Sequence, residues 1–96
     1  MKSFHQIPLE AIILYRSAVE LSWKGHHELA LKNLTTAVTL APQFTAALCE
    51  MGQCYKKLGR YPEALSAYDT VLQSFPSHAE AAMNRTWIRE KMEEKK

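Results

Sequence analysis

The sequence has little of what most specialised protein classes require. Its 96 residues include only 3 glycines and 4 prolines, too few for a fibrous repeat or a disordered linker. The net charge of +2 is too small for a nucleic-acid-binding surface, whose affinity depends on clustered basic residues. No stretch reaches the roughly 18 to 20 continuous apolar residues of a membrane span, and residues 1–8 lack the apolar core of a signal peptide. These absences predict one cytoplasmic domain without nucleic-acid or membrane partners.

Residues with catalytic or metal-binding chemistry are few and badly spaced for it. Cys49 and Cys54 are five positions apart on one predicted helix, where their side chains point in different directions, so we expect two free, partly buried thiols. His26 and His27 are adjacent, whereas a metal pair on a helix needs a spacing of about three or four. No nucleophile with a base and no glycine-rich phosphate loop is present. The sequence therefore predicts a protein that is not an enzyme and that binds no metal or cofactor.

An internal period of about 34 residues organises the chain. The same interval separates Pro8 from Pro42 and Pro42 from Pro76. Further identical pairs at this offset lie where helices end or pack closely: Gly25 and Gly59, Ala30 and Ala64, Leu31 and Leu65, Leu14 and Leu48, and Thr36 and Thr70. A period of this length is typical of stacked helical repeats.

Apolar residues recur at helical rather than strand spacing within each copy. Gly25 and Gly59 are suited to end one helix in the left-handed conformation, and Pro62 to begin the next. Ser77 and Glu80 form a capping box that predicts the start of a fifth helix. The predicted helices span 9–24, 28–40, 45–58, 62–74 and 77–93.

The second copy resembles the tetratricopeptide repeat, a helix pair with the pattern W-x2-L-G-x2-Y, A-x3-F and P. The matching positions are Leu48, Met51, Gly52, Tyr55, Ala64, Tyr68 and Pro76. Gly52 and Ala64 are small where two helices must approach closely, and larger residues fill the space around that contact. The first copy keeps a small pair, Ala18 and Ala30, but has Ser17 in place of a packing leucine.

The resemblance implies an all-α fold, an α-solenoid of antiparallel helix hairpins with about five helices. We expect a single domain over 1–96, with repeat 1 at 11–44, repeat 2 at 45–78 and a capping helix at 79–93. Arg85 and Arg89 stand where the pattern has leucine and an aromatic, which suits the polar outer face of a terminal repeat. Phe4 and Ile7 align with the end of a second helix, so that they either cap the first hairpin or remain from a preceding repeat.

In tetratricopeptide proteins the first helix of each repeat lines a concave groove that holds a peptide or a helix of a partner protein. Carried over by register, this predicts a set of partner-binding residues: Ile12, Tyr15, Arg16, Val19, Cys49, Glu50, Gln53, Lys57, Met83, Asn84 and Trp87. Aromatic residues contribute strongly to binding, but Tyr15 and Trp87 are equally suited to packing between helices. Arg16 faces Glu50 one copy away, which favours an ion pair between repeats over a ligand contact.

Some members of the family hold the carboxylates of chaperone tails with lysine, arginine and asparagine side chains on this face. The corresponding positions here include Glu50 and Glu80, which repel an anionic tail, so we expect no such clamp. The predicted function is a non-catalytic adaptor that binds another protein.

Two alternatives to this function stay open. One is a piece of a longer repeat array that acts as an assembly scaffold. The other is self-association, in which a homodimer buries apolar residues of the fifth helix: Met83, Trp87, Ile88 and Met92.

Overall fold

Five helices account for most of the chain that the structure describes. In the computed structural model, which describes residues 6–94, α1 spans Leu9–Trp23, α2 His27–Leu40, α3 Thr45–Lys57, α4 Tyr61–Ser74 and α5 Ala79–Glu94. These residues contain no strand, and none of their helices is long and apolar enough to cross a membrane. Every helix predicted from the sequence is found, with its ends within two residues of the prediction. The all-α fold is therefore confirmed.

The helices form hairpins that stack in one direction. Within the hairpins α1 packs on α2 and α3 on α4, while α2 packs on α3 and α4 on α5 between them. The molecule is elongated, with principal extents of 50 × 30 × 17 Å. An arrangement in which each helix packs chiefly on its neighbours in sequence is that of a solenoid and not of a closed bundle.

Both hairpins turn in the same way. Gly25 and Gly59 have φ angles of +87° and +76°, in the left-handed region that a side chain disfavours. The amide of His26 donates to the carbonyl oxygen of Leu21 at 2.8 Å, and an equivalent bond follows α3. These bonds satisfy carbonyl groups that would be left free at the helix end. The prediction that glycine ends the first helix of each hairpin is confirmed.

The fifth helix does not begin at the predicted capping box. α5 starts at Ala79, and Ser77 lies in the preceding turn. The Nδ1 atom of His78 accepts a hydrogen bond from the amide of Ala81 at 3.2 Å. Because this imidazole satisfies a free amide of the first turn, His78 performs the capping that the sequence assigned to Ser77.

Small residues allow the helices of each hairpin to pack closely. Ala18 and Ala30 are buried in the first hairpin, as are Gly52 and Ala64 in the second. The ring of Tyr68 lies against Gly52, where an added Cβ would come 2.5 Å from the Cε2 atom of Tyr68. The small residues are therefore required by the space between the helices, as the sequence predicted.

The face that joins one hairpin to the next recurs with the repeat period. In α3 it consists of residues that pack against the first hairpin: Ala47, Met51, Cys54 and Leu58. In α5 its apolar members, Ala81, Ile88 and Met92, belong to the core of the second hairpin. The equivalent residues of α1 are exposed: Ile13, Ser17, Glu20 and Lys24. No hairpin among the described residues stacks on this face of α1, and Ser17, where the family has leucine, instead accepts a hydrogen bond from Asn33 of α2 at 3.2 Å.

The prediction that Arg85 and Arg89 both belong to the polar outer face is wrong for Arg85. Its Nε atom lies 2.8 Å from Oδ1 of Asp69 in α4, and the two side chains are 38% and 41% exposed. Arg89, by contrast, is exposed. The second junction thus contains an ion pair where the pattern has an apolar contact, and Arg89 alone of the two arginines belongs to the polar outer face.

The segment before α1 covers the first hairpin. Ile7 is half-buried and packs against a small cluster formed by Ala11, Ala37 and Ala41. This is the capping role that the sequence suggested for Ile7. Phe4, which the sequence placed beside it, lies outside the described residues.

Candidate functional site

The first helices of the repeats, α1, α3 and α5, lie side by side and form one face of the molecule, which we term the first-helix face. The Nζ atom of Lys56 in α3 donates to Oδ1 of Asn84 in α5 at 2.6 Å. At the preceding junction the Ser22 hydroxyl of α1 bonds to the Glu50 carboxylate of α3. Ser22 also accepts a hydrogen bond from the Cys54 thiol at 3.8 Å, so residues near the ends of α1 and of α3 each contact the next first helix.

The predicted partner-binding residues differ in how far solvent reaches them. Six are half-buried: Ile12, Tyr15, Val19, Glu50, Gln53 and Asn84. Four are exposed: Arg16, Lys57, Met83 and Trp87. Met83 is 71% exposed and Trp87 is 39% exposed, which makes them the most accessible large apolar side chains of α5. Exposed or half-buried side chains are those that a partner can reach.

Cys49 is the predicted residue that the structure removes from this face. It is 6% exposed and packs in the core with Tyr68, Ala81 and Ile88. Burial, and then the nearby Glu80, raise the pKa of its thiol to about 11. Both cysteines are free, as predicted, but they are buried and not partly buried. A protonated thiol inside the core is unreactive and contacts no partner.

The predicted ion pair between Arg16 and Glu50 is not formed. The salt bridges of the described residues lie elsewhere: Arg60 with Glu28, Arg60 with Glu63, Arg85 with Asp69, and Lys91 with Glu94. Glu50 instead bonds to Ser22, whose Oγ atom is 3.2 Å from Nδ1 of His27. Arg16 points to solvent and is available to another molecule.

The two aromatic residues of the face each combine packing with exposure. The rings of Tyr15 and Phe44 are 5.1 Å apart, and those of Trp87 and Tyr61 are 6.0 Å apart in an edge-to-face arrangement. Each ring is nevertheless open to solvent in part. A side chain held by a neighbouring ring loses little conformational freedom when it binds, which favours a contribution to affinity.

Tyr15, Glu50 and Glu80 together form what we term the acidic zone. Burial raises the pKa of Glu50 and Glu80 raises it further, whereas the hydrogen bond with Ser22 and the charge of His27 act in the opposite direction. Burial also raises the pKa of Tyr15, followed by the effect of Glu50. Neither carboxylate of the acidic zone has an ion-pair partner among the described residues.

Three lysines near Trp87 form what we term the basic zone: Lys56, Lys57 and Lys91. The Nζ atoms of Lys56 and Lys91 lie 4.7 Å and 5.3 Å from the centroid of the Trp87 ring, within range of a cation–π interaction. Burial, and then the charge of Lys57, lower the pKa of Lys56, whereas the charge of Glu80 in the acidic zone acts in the opposite direction. Lys56 has no carboxylate within ion-pair distance among residues 6–94.

Sequence reasoning missed Ser22, Lys56 and Lys91 on this face. A signal for Lys91 was present, because it lies one repeat period after Lys57, which was predicted. Ser22 and Lys56 are likewise one period apart, but neither had been assigned to the face. Their contacts with the next first helix make them visible only in the structure.

The site offers no recognisable place for a metal ion or a small substrate. The described part of the chain contains no group of three or more His, Cys, Asp or Glu residues able to hold a metal. A cavity of about 330 Å³ lies between α3 and α4, and its lining includes Leu48, Val71 and Phe75. None of the predicted partner-binding residues lines this cavity.

The sequence of the chain is similar to those of known proteins. A model of the tetratricopeptide repeat matches residues 24–88. DnaJ homolog subfamily C member 3 of Rattus norvegicus is 37% identical to the chain over 73 residues, which cover 76% of this chain and 14% of that relative. The family model matches well over half of the chain, and its span includes the turn and the second helix of the first hairpin, the second hairpin and most of α5. The chain therefore belongs to the tetratricopeptide repeat family.

Proposed function

We propose that this chain is a non-catalytic adaptor that holds a peptide or a helix of a partner protein on its first-helix face. Repeats of this family generally mediate protein-protein interactions. The observation that carries the proposal is the pair of ordered, partly exposed aromatic rings, Tyr15 and Trp87, at the two ends of that face. Such rings are the side chains that most often dominate the affinity of an interface.

The polar residues around these rings support the same function. Arg16 and Gln53 present hydrogen-bonding groups to solvent, and Met83 adds an accessible apolar side chain. An apolar centre with a polar margin is the usual composition of a protein interface. The groove is not a clamp for an anionic chaperone tail, because Glu50 and Glu80 would repel its carboxylates.

Binding by the first-helix face is tested with a variant that truncates both rings, Tyr15→Ala with Trp87→Ala. Proteins retained by the immobilised wild-type chain are compared with those retained by this variant. We expect the variant to lose them by more than about tenfold, because each ring is an anchor of the kind that costs about 2 kcal/mol or more when truncated.

A matched control removes apolar side chains elsewhere. Leu29→Ala with Phe75→Ala truncates residues that are 51% and 52% exposed outside the first-helix face, and this variant should retain the same partners as the wild type. A further variant, Gln53→Arg, adds bulk to the first-helix face without removing a core contact. This variant, unlike the control, should lose the partners that the wild type retains. Equal retention by all variants, each verified as folded by circular dichroism, contradicts the proposal.

Self-association through α5 is a second candidate, although on a smaller surface than the sequence suggested. Ile88 is fully buried and Met92 is half-buried in the core, so neither is available to a second copy. What favours the candidate is a shallow hollow of about 430 Å³ whose lining includes Ala82, Met83 and Trp87.

The mass in solution tests this second candidate. Light scattering gives the mass of the wild type and of Met83→Glu, which places a charge in the hollow. A wild-type dimer that becomes a monomer in Met83→Glu would favour self-association. A wild-type monomer across a wide range of concentrations would contradict it and would leave the adaptor as the function.

A further inference from the structure

The first-helix face has an acidic zone and a basic zone that adjoin, since the charge of Glu80 acts on Lys56. Its acidic zone contains two carboxylates, Glu50 and Glu80, that lack an ion-pair partner among the described residues. In its basic zone Lys56 and Lys57 likewise lack one among residues 6–94, whereas Lys91 is paired with Glu94. Away from this face, by contrast, Arg60 is paired with Glu28 and with Glu63, and Arg85 with Asp69. Unpaired charges of opposite sign therefore lie on the face that presents the partly exposed rings of Tyr15 and Trp87.

The repeat geometry explains why the charges separate. At each junction a residue near the end of one first helix meets side chains of the next first helix. The first junction has Ser22 with Glu50, and the second has Lys56 with Asn84. The same place in the fold is thus acidic at one junction and basic at the other, because the occupants differ and the backbone does not.

A buried hydroxyl group lies under the acidic zone. Tyr68 is fully buried, its ring covers Gly52, and its hydroxyl has no hydrogen-bond partner among the described residues. Burial raises the pKa of this hydroxyl, and Cys49 and then Glu80 and Glu50 raise it further, which sets it close to both carboxylates. Because the Tyr68 hydroxyl is fully buried, only the two carboxylates of this region can reach a bound segment, and they favour a cationic donor over an anion.

We propose that the segment bound on this face presents a basic side chain, Lys or Arg, to the acidic zone and an acidic side chain, Asp or Glu, to the basic zone. This inference rests on the proposed function and specifies the chemistry of the partner. Charge complementarity selects such a segment over a uniformly anionic or cationic one, because each like-charge contact is unfavourable. Trp87 lies beside the basic zone and Tyr15 within the acidic zone, so apolar side chains of the same segment contact the rings.

A library of short random peptides displayed on phage is the probe. It is panned against the wild-type chain, and the selected peptides are sequenced and then synthesised for fluorescence anisotropy. We expect the selected peptides to carry a basic and an acidic residue at a fixed separation, on either side of an apolar residue. Peptides that carry only one sign of charge, or none, would overturn the inference.

The two zones are then tested separately with isosteric variants. The double variant Glu50→Gln with Glu80→Gln should bind a selected peptide with about tenfold lower affinity. Replacing the basic residue of the peptide by Gln should lower the affinity by the same factor. Combining both changes should cost no more than either alone, because they remove the same interaction. Lys56→Gln with Lys57→Gln should behave in the same way toward the acidic residue of the peptide. Glu20→Gln and Lys32→Gln are exposed controls that should leave the affinity unchanged.

The outcomes separate the inference from the function on which it rests. Peptides that are lost on Tyr15→Ala with Trp87→Ala but are insensitive to the four charge changes would overturn the inference and leave the proposed function in place. Peptides that bind every ring and charge variant equally, or a failure to select any peptide, would overturn both.

Discussion

The two hairpins share a turn but fill the space between their helices differently. Ala18 and Leu34 in the first hairpin occupy the positions that Gly52 and Tyr68 have in the second, one repeat later. Leu34 and Tyr68 are both fully buried. In the second hairpin the Tyr68 ring lies against Gly52, which has no Cβ. In the first hairpin the smaller Leu34 leaves room for the methyl group of Ala18. The two positions are thus matched as a pair to one available volume.

The two junctions differ in a similar way. At the first, Met51 packs against the core of the first hairpin. At the second, the equivalent Arg85 pairs with Asp69, which stands where the first hairpin has Thr35. The repeat therefore tolerates an apolar or an ionic contact at the same place, since both side chains of the ion pair remain partly exposed to water.

The largest expected effect comes from breaking the matched pair in the second hairpin. In Gly52→Ala the new methyl group would lie 2.5 Å from a carbon of the fully buried Tyr68 ring. Overpacking of this kind costs about 1–3 kcal/mol, partly offset by about 1 kcal/mol from the better helix propensity of alanine. The net loss thus lies between about 0 and 2 kcal/mol. We expect a value near the upper end, about 2 kcal/mol, which lowers the melting temperature by about 10 °C.

A second substitution sharpens the same comparison. Adding Tyr68→Leu to Gly52→Ala copies the first hairpin, in which Ala18 faces Leu34. The double variant should recover at least half of the lost stability, because the ring that causes the clash is gone. Thermal unfolding followed by circular dichroism measures both variants. A Gly52→Ala variant as stable as the wild type, or a double variant no better than the single one, would show that the pair is not matched.

The identical turns should respond identically. Gly25→Ala and Gly59→Ala place a Cβ on residues whose φ angles are +87° and +76°, where nothing lies within 4 Å of the new atom. The cost is thus the backbone conformation alone, about 1 kcal/mol in each hairpin. Urea unfolding should give the same loss for both variants within error. Unequal losses would mean that the turns differ in a way that their backbone hydrogen bonds do not reveal.

Converting the second junction into the first should have a smaller effect. Arg85→Met with Asp69→Thr reproduces the residues Met51 and Thr35. The ion pair of Arg85 with Asp69 that this variant removes is partly exposed, so the free energy of unfolding should change by less than about 1 kcal/mol. The free energy of unfolding should also depend less on salt concentration than that of the wild type. Urea unfolding at low and high ionic strength measures both quantities, with the exposed Arg16→Met as the control. A loss of several kcal/mol would show that this ion pair is required for stacking.

The smallest effect is expected in the pH dependence of the acidic zone. Burial and Glu80 raise the pKa of Glu50 above its ordinary value of 4.5, so the folded state binds this proton more tightly than the unfolded state. The contribution of Glu50 to stability is therefore full below pH 4.5 and is lost as the pH rises through the raised pKa. Glu50→Gln removes this loss, so its stability relative to the wild type should rise slightly between acidic and neutral pH.

Melting temperatures measured across this pH range test the expectation. The exposed Glu20→Gln serves as the control, since it should follow the wild type at every pH. If Glu50→Gln tracks the wild type as closely as the control does, the acidic zone carries no electrostatic strain.

Much of the fold could be predicted because its signals are local. Gly25, Gly59 and Pro62 mark helix ends by their own backbone preferences, whatever surrounds them. The start of α5 was misplaced because Ser77 is a common cap, and nothing in its neighbourhood indicates that His78 takes that role. Arg85 was misread for a related reason, since its partner Asp69 lies on another helix.

Less of the candidate site could be predicted. The helix register placed Tyr15, Glu50 and Trp87 correctly on accessible positions, but it also placed Cys49 there, which the neighbouring α5 buries. Burial depends on how closely the next helix approaches, and no local pattern in the sequence reports that distance.

The sequence by itself determined the repeat period, the helix ends at Gly25, Gly59 and Pro62, and the small residues between paired helices. Each of these follows from the chemistry of a residue and its near neighbours along the chain. Only the tertiary structure decided which side chains of successive first helices meet. Matching positions one full repeat apart predicted a pair of Arg16 with Glu50, whereas the observed contacts join residues at other separations, such as Ser22 with Cys54 and Lys56 with Asn84. The physical reason is that the hairpins are offset when they stack, and this offset results from packing over the whole junction.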